Sequence, residues 1–217
     1  MLYYLQDINQ NQYGMQRDAT SYLRVFHASP DAPPVDVYAN GTKLASNLFY
    51  SGFTEYMPVP AGRYNVRVFP AGQTMNPVIN TDVQIPPGTI ITAAAVGRVA
   101  DIELLPIQDP VIPIPTGMTS LRFGHLSPNA PAVDIVLPDG TKLFTNVGYK
   151  QVTNYVPVFP GTYSIFVRPA GTGQNVLYVP NINLSRERFY TIYAIGLVGE
   201  APPLQVVIPL DGNSYIR

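Results

Sequence analysis

The side chains with the strongest claim to chemistry stand in one short run, His27-Ala-Ser29-Pro-Asp31. A serine becomes a nucleophile when a histidine takes its proton and a third group orients that histidine. Residues two apart on a strand end and loop could approach one another in this way. The run returns as His125-Leu-Ser127-Pro-Asn129, where an amide replaces the orienting acid. Neither copy has the Gly-x-Ser-x-Gly frame of a strained nucleophile elbow. The expectation is structural: a strand-end histidine beside a turn whose side chains bond nearby backbone. No residue is assigned a catalytic role, and the chain is expected not to be an enzyme.

Asp36 and Asp134 hold equal places in the two copies. A calcium site needs six or more oxygens, and the nearest further carboxylate, Asp31, is Asn129 in the second copy. Each aspartate is expected to accept hydrogen bonds from its own loop, and no metal or cofactor site is assigned. With no cysteine in the chain, disulfides and thiolate metal sites are excluded. The 15 tyrosines without a single Trp suggest sheet packing with hydroxyls at the rim. Tyr56 and Tyr64 recur in register as Tyr155 and Tyr163. No glycine run resembles a phosphate-cradling loop.

These residues sit in a unit used twice. His27-Ala-Ser-Pro-Asp-Ala-Pro-Pro-Val-Asp-Val-Tyr38 returns as His125-Leu-Ser-Pro-Asn-Ala-Pro-Ala-Val-Asp-Ile-Val136, and the downstream segments return in the same order. Leu23–Ala28 and Val35–Tyr38 read as strands flanking a rigid loop. Asn40-Gly41 predicts a two-residue hairpin, and Pro138-Asp139-Gly140 a three-residue loop with a bulge. Tyr64, Val66 and Val68 keep their character in Tyr163, Ile165 and Val167, whereas Asn65, Arg67 and Phe69 become Ser164, Phe166 and Arg168. Period two assigns the kept set to the core and the varied set to the surface. Further strands are expected at Thr89–Val96 and Tyr190–Ile195, with Ile102–Leu105 and Leu204–Ile208 closing the halves. The 23 Pro and 17 Gly leave no room for long helices.

The pattern of His27–Val37 with the Tyr56–Tyr64 hairpin resembles the bacterial domain of unknown function 4397 family. The second copy, 125–135 with 155–163, matches with substitutions at Leu126, Asn129 and Ile135 and with Phe159-Pro160 in place of Pro60-Ala61. The resemblance spans about residues 22–210. It implies tandem β-sandwich domains on bacterial envelope, secreted or spore-associated proteins, and no established catalysis.

The expected fold is all-β: two tandem immunoglobulin-like antiparallel β-sandwich domains with a flexible N-terminal arm. The divisions are an arm at 1–20, a first sandwich at 21–108, a Pro-rich linker at 109–118, a second sandwich at 119–210 and a tail at 211–217. Hydrophobic residues make up 46% and charged residues 12%, with net charge −1 and no basic run. Nucleic acid is therefore not an expected partner, and no apolar stretch reaches the length of a membrane span. The N-terminus lacks the basic and apolar regions of a secretory signal. The expected role is a non-enzymatic structural module that self-assembles in a bacterial surface layer, spore coat or fibre, as a homo-oligomer or filament joined by the arm and sheet edges, with other surface proteins as further partners. The alternative is adhesion to a glycan or protein ligand. The expected location is the spore or cell surface, reached from cytoplasmic synthesis without a recognisable signal.

Overall fold

The computed structural model describes residues 20–216, so the arm expected at 1–20 lies almost wholly outside the described residues. The first half contains β1 (Ser21–His27), β2 (Val35–Ala39), β3 (Thr42–Leu48), β4 (Met57–Val59), β5 (Gly62–Pro70), β6 (Ile79–Ile85), β7 (Ile90–Val96) and β8 (Glu103–Gln108). The second repeats it as β9 (Thr119–His125), β10 (Val133–Val136), β11 (Lys142–Val147), β12 (Val156–Val158), β13 (Gly161–Pro169), β14 (Leu177–Leu184), β15 (Phe189–Ile195) and β16 (Gln205–Val207). Each half is a sandwich of two four-stranded sheets: β3-β2-β5-β6 on β4-β1-β7-β8, then β11-β10-β13-β14 on β12-β9-β15-β16. All pairings are antiparallel except β1 with β7 and β9 with β15, which run parallel. A parallel pair needs a long crossover, and here the other sheet of the sandwich supplies it.

The hairpins follow their turn residues. Asn40 and Gly41 both take positive φ, and β2 meets β3 directly across them. Val66 and Val68 are buried with Val25 and Val37, and Ile165 and Val167 with Phe123 and Ile135. Phe69 departs from its surface expectation. It is buried on the outer face because Tyr38 meets it edge-on at 5.6 Å and Arg67 lies over its ring at 5.9 Å.

The sheets β4-β1-β7-β8 and β12-β9-β15-β16 face each other, so their central strands are covered on both sides. Every residue of β7, Ile-Ile-Thr-Ala-Ala-Ala-Val, is buried, and the three alanines let a layer approach from each face. Phe26, Ala94, Val96, Ile107, Leu126, Tyr193 and Ile195 form one cluster shared by both halves. The two repeats place bulk differently there. In the first, Phe26 stands opposite Ala94. In the second, Gly124 stands opposite Tyr193, and a Cβ at Gly124 would lie 2.6 Å from that ring. The large residue has changed strands, and the rings of Phe26 and Tyr193 meet at 5.3 Å.

Candidate functional site

The repeated motif is spent on holding loops. His27 Nε2 lies 3.0 Å from the Pro33 carbonyl and His125 Nε2 3.0 Å from that of Pro131. A carbonyl only accepts, so Nε2 carries the proton in each ring. Burial, opposed by that bond, holds both imidazoles below the ordinary histidine pKa. Ser29 donates to Gly97 O at 2.6 Å and Ser127 to Gly196 O at 2.6 Å. Asp31 accepts from the Val99 amide at 2.8 Å, and Asn129 from that of Val198 at 2.8 Å. Histidine, serine and acid therefore each bind a different backbone group, and the proton relay of a triad is not assembled. Gly97 and Gly196 adopt φ of +93° and +85°, and a Cβ would collide with the backbone of Asp101 in the first case and of Pro203 in the second. Only glycine lets these turns close under the serine.

Asp36 accepts from the Asn47 amide at 2.8 Å and from Lys43 at 2.9 Å. Asp134 is held alike by Lys142 at 2.7 Å and the Asn146 amide at 2.8 Å. The amide and the ammonium hold both carboxyls below the usual carboxylate range. Among the described residues no group of three or more His, Asp or Glu is placed to hold a metal ion.

The densest polar cluster is one that motif reading does not single out. Arg24 and Arg122 occupy the same register on β1 and β9, and both are buried between the halves. Arg24 donates to Asp211 at 3.0 Å, Thr92 at 2.8 Å and Leu210 O at 3.0 Å. Arg122 donates to Asp109 at 2.5 Å, Thr191 at 2.7 Å and Gln108 O at 2.8 Å. The pairing is crossed. Asp109 ends the first half, where its amide bonds Ile90 O at 2.8 Å, and Asp211 ends the second, where its amide bonds Phe189 O at 2.9 Å. Each half thus neutralises the arginine of the other. Tyr56 donates to Asp109, and Tyr155 to Asp211 at 2.7 Å, while each guanidinium lies 4.5 Å above one of those tyrosine rings. These hydroxyls therefore turn inward and not to the rim; Tyr64 and Tyr163 take the rim, donating to Pro60 O and Phe159 O.

Burial, and then the neighbouring Asp109 charge, push the Asp211 carboxyl up to about 6 against the pull of both arginines. Burial, followed by the carboxylates, raises Tyr56 and Tyr155 far above the usual phenol range. Threonines, tyrosines and backbone carbonyls complete the shells of the ions. The cluster is a clasp between two sandwiches. The signal for it is an arginine at the same place in two otherwise apolar strands, Leu23-Arg-Val-Phe and Leu121-Arg-Phe-Gly.

Beside the clasp, a cleft of about 380 Å³ opens between β8 and the segment 150–155. Leu105, Ile107, Gln108, Arg122, Val152 and Tyr155 are among its walls.

The model of a family described as a domain of unknown function (DUF4397) matches residues 21–136 and again 136–214. The chain belongs to the DUF4397 family. Two tandem matches agree with a duplicated chain, although they divide it at residue 136, after β10 of the second sandwich. No curated protein matches the chain. Among solved structures it is similar to the Bacillus anthracis TIE protein, at 14% identity over 83% of this chain and 34% of that one, with a TM-score of 0.25. It spans about a third of that protein's length. It is also similar to a family CBM26 module from Eubacterium rectale Amy13K, crystallised with maltoheptaose, at 9% identity over 89% of this chain and 99% of that one, with a TM-score of 0.27. At such TM-scores the DUF4397 fold is described by its own strands alone.

Proposed function

We propose that this DUF4397 protein is a non-enzymatic structural module that self-associates at a bacterial surface, as part of a surface layer, spore coat or fibre. The observation that supports this best is the commitment of its reactive residue types to the fold. The histidines, serines and aspartates of the motif hold loops, and the buried ions hold the two sandwiches together. What a neighbour meets is a double sandwich with sheet edges. Of the outer edges, β3, β11 and β14 carry register irregularities, which discourage strand addition. The β6 edge pairs with β5 without interruption from Ile79 to Ile85. That regular edge suits pairing with another chain.

Sedimentation velocity across a concentration series tests this reading. Association that weakens when Asn80 and Gln84 become lysine supports it, and a monomer throughout refutes it. A second reading, as a glycan-binding module, draws on Tyr178, which is exposed beside Phe166 at 4.9 Å with Arg168 over Phe166 at 5.7 Å. A glycan array screened with the protein and with Tyr178→Ala checks it; no signal lost on substitution removes it.

A further inference from the structure

We propose that the cleft beside Arg122 receives a tyrosine side chain from residues 1–19 of a second copy of the chain, joining copies head to tail. This rests on the self-association reading and names its contact.

Two places that the duplication makes equivalent are filled unequally. Arg24, Phe53, Glu55 and Tyr56 correspond to Arg122, Val152, Asn154 and Tyr155. Around the first set the space is filled. The Phe53 ring stacks on Phe26 at 3.9 Å, and the Arg24 guanidinium covers Phe53 at 4.8 Å. After Asp211 the chain turns through Gly212–Ser214 and sets Tyr215 edge-on to Tyr56, with ring centres 6.2 Å apart. That turn is seated closely: a Cβ at Gly212 would meet Ile90 at 2.6 Å and Tyr56 at 3.0 Å.

Around the second set the space is filled on one side, where Phe189 stands edge-on to Tyr155 at 5.0 Å, and open on the side of β8. After Asp109 the chain continues as Pro110 into the linker, and the smaller Val152 stands where Phe53 would be. The cleft is what remains. It has the walls of the filled place: a tyrosine, a buried guanidinium and an apolar floor from Leu105, Ile107 and Val152. Tyr155 has Phe189 as a ring neighbour, but among the described residues no phenol stands beside it as Tyr215 stands beside Tyr56. Gln108, Thr153 and Asn154 line the cleft as partners for the hydroxyl of such a phenol. The cleft mixes apolar and polar walls in about equal share, which suits a side chain that is itself part ring and part hydroxyl.

The chain outside the described residues holds a matching donor. Residues 1–19 contain Tyr3, Tyr4 and Tyr13, with only Asp7, Arg17 and Asp18 charged. A segment of that length can extend up to about 60 Å, enough to reach a neighbouring copy. It joins the first half at Thr20, whereas the cleft is walled in part by 150–155 of the second. Donor and acceptor are different surfaces, so the contact is heterologous and repeats from copy to copy.

A complementation experiment tests this. A chain of residues 20–217 keeps the cleft and lacks the donor. The full chain with Val152→Phe keeps the donor and carries in the cleft the residue found at the filled place. Asn154→Arg, at the exposed rim, serves as a second blocked variant, and melting curves verify that each variant is folded. In sedimentation velocity the intact chain is expected to associate with rising concentration. Each variant alone should require at least tenfold more protein to do so, and a one-to-one mixture of truncated and blocked chains should stop at dimers. Equal association of intact and truncated chains would overturn the proposal while leaving self-association through sheet edges standing. A monomeric intact chain beside a pairing mixture would also overturn it, because the segment would then fill the cleft of its own chain. Absence of association in every sample would remove both readings.

Discussion

A hydroxyl or imidazole does chemistry when its proton has somewhere to go, and in this protein those protons are already placed. Ser29 and Ser127 are buried and each donates to the carbonyl of a turn glycine. Replacing either by alanine strands that carbonyl, at a cost of about 1–2 kcal/mol. For a chain of this size each kilocalorie lowers Tm by about 2–4 °C, so Ser29→Ala and Ser127→Ala should each melt a few degrees early. No shift in a calorimetric scan would show these bonds to be replaceable by water.

The buried residues also set a pH dependence in which two trends oppose each other. His27 and His125 have pKa values lowered by burial. Above about pH 6.5, the unfolded value, they cost nothing. As the pH falls through that value the unfolded chain takes up protons that the folded chain refuses, and stability drops. Asp211 acts in reverse, because its carboxyl is raised to about 6 from an unfolded value near 3.9. Its contribution is full below about pH 4 and fades as the pH rises through 6. The urea midpoint of a His27→Gln/His125→Gln variant should therefore rise from pH 7 to pH 5, whereas the parent gains less or declines. A variant that declines as the parent does would mean that these imidazoles are not the source.

At the scale of the strand, the decisive contrast is between sheets with one face covered and sheets with two. The inner strands exchange large for small: Phe26 and Ala94 in one half, Gly124 and Tyr193 in the other. Gly124→Val puts branched carbon where the Tyr193 ring already lies. Overpacking of this kind costs about 1–3 kcal/mol, whereas Gly124→Val combined with Tyr193→Ala should recover part of the loss. Denaturant midpoints of the single and double variants decide, and strict additivity would show that the two residues do not share the space. The same contrast explains what a sequence reveals here. Val66 and Val68 alternate with polar neighbours, so period two finds their face, and Asn40-Gly41 finds its hairpin. Phe69 misleads because it lies on the nominally outer face, yet Tyr38 and Arg67 cover it. Strands β7 and β15 lack alternation because both faces are buried. A pattern of that kind identifies a central strand but not its second partner. The clasp is hidden for another reason: Arg24 and Asp211 lie 187 residues apart, and although Asp109 and Asp211 end matching segments, Ile102-Glu-Leu-Leu and Leu204-Gln-Val-Val, nothing in those segments says that each aspartate pairs with the arginine of the other half.

The crossed pairing makes the two sandwiches of the whole molecule depend on each other. Were each arginine matched by an aspartate of its own half, the halves could separate with their ions satisfied. Instead Arg24 pairs with Asp211 and Arg122 most closely with Asp109, so parting the halves strips Arg24 of its carboxylate and leaves Arg122 only the longer 3.9 Å contact to Asp211 of its own half. Breaking a buried pair by removing one partner costs about 3–5 kcal/mol. Asp211 also receives Tyr155 and Thr191, which places Asp211→Ala at the upper end of that range. The penalty should fall on both halves, because the stranded charge is in the first and the missing anchor in the second. Intact protein should thus unfold in one calorimetric transition, and Asp211→Ala should move that whole transition down. Replacing Arg24 and Asp211 together by Met and Leu should restore part of the loss, since exchanging a buried pair for apolar residues is often close to neutral. Two transitions, with only one displaced by Asp211→Ala, would mean that the sandwiches are joined by the linker and not by the clasp.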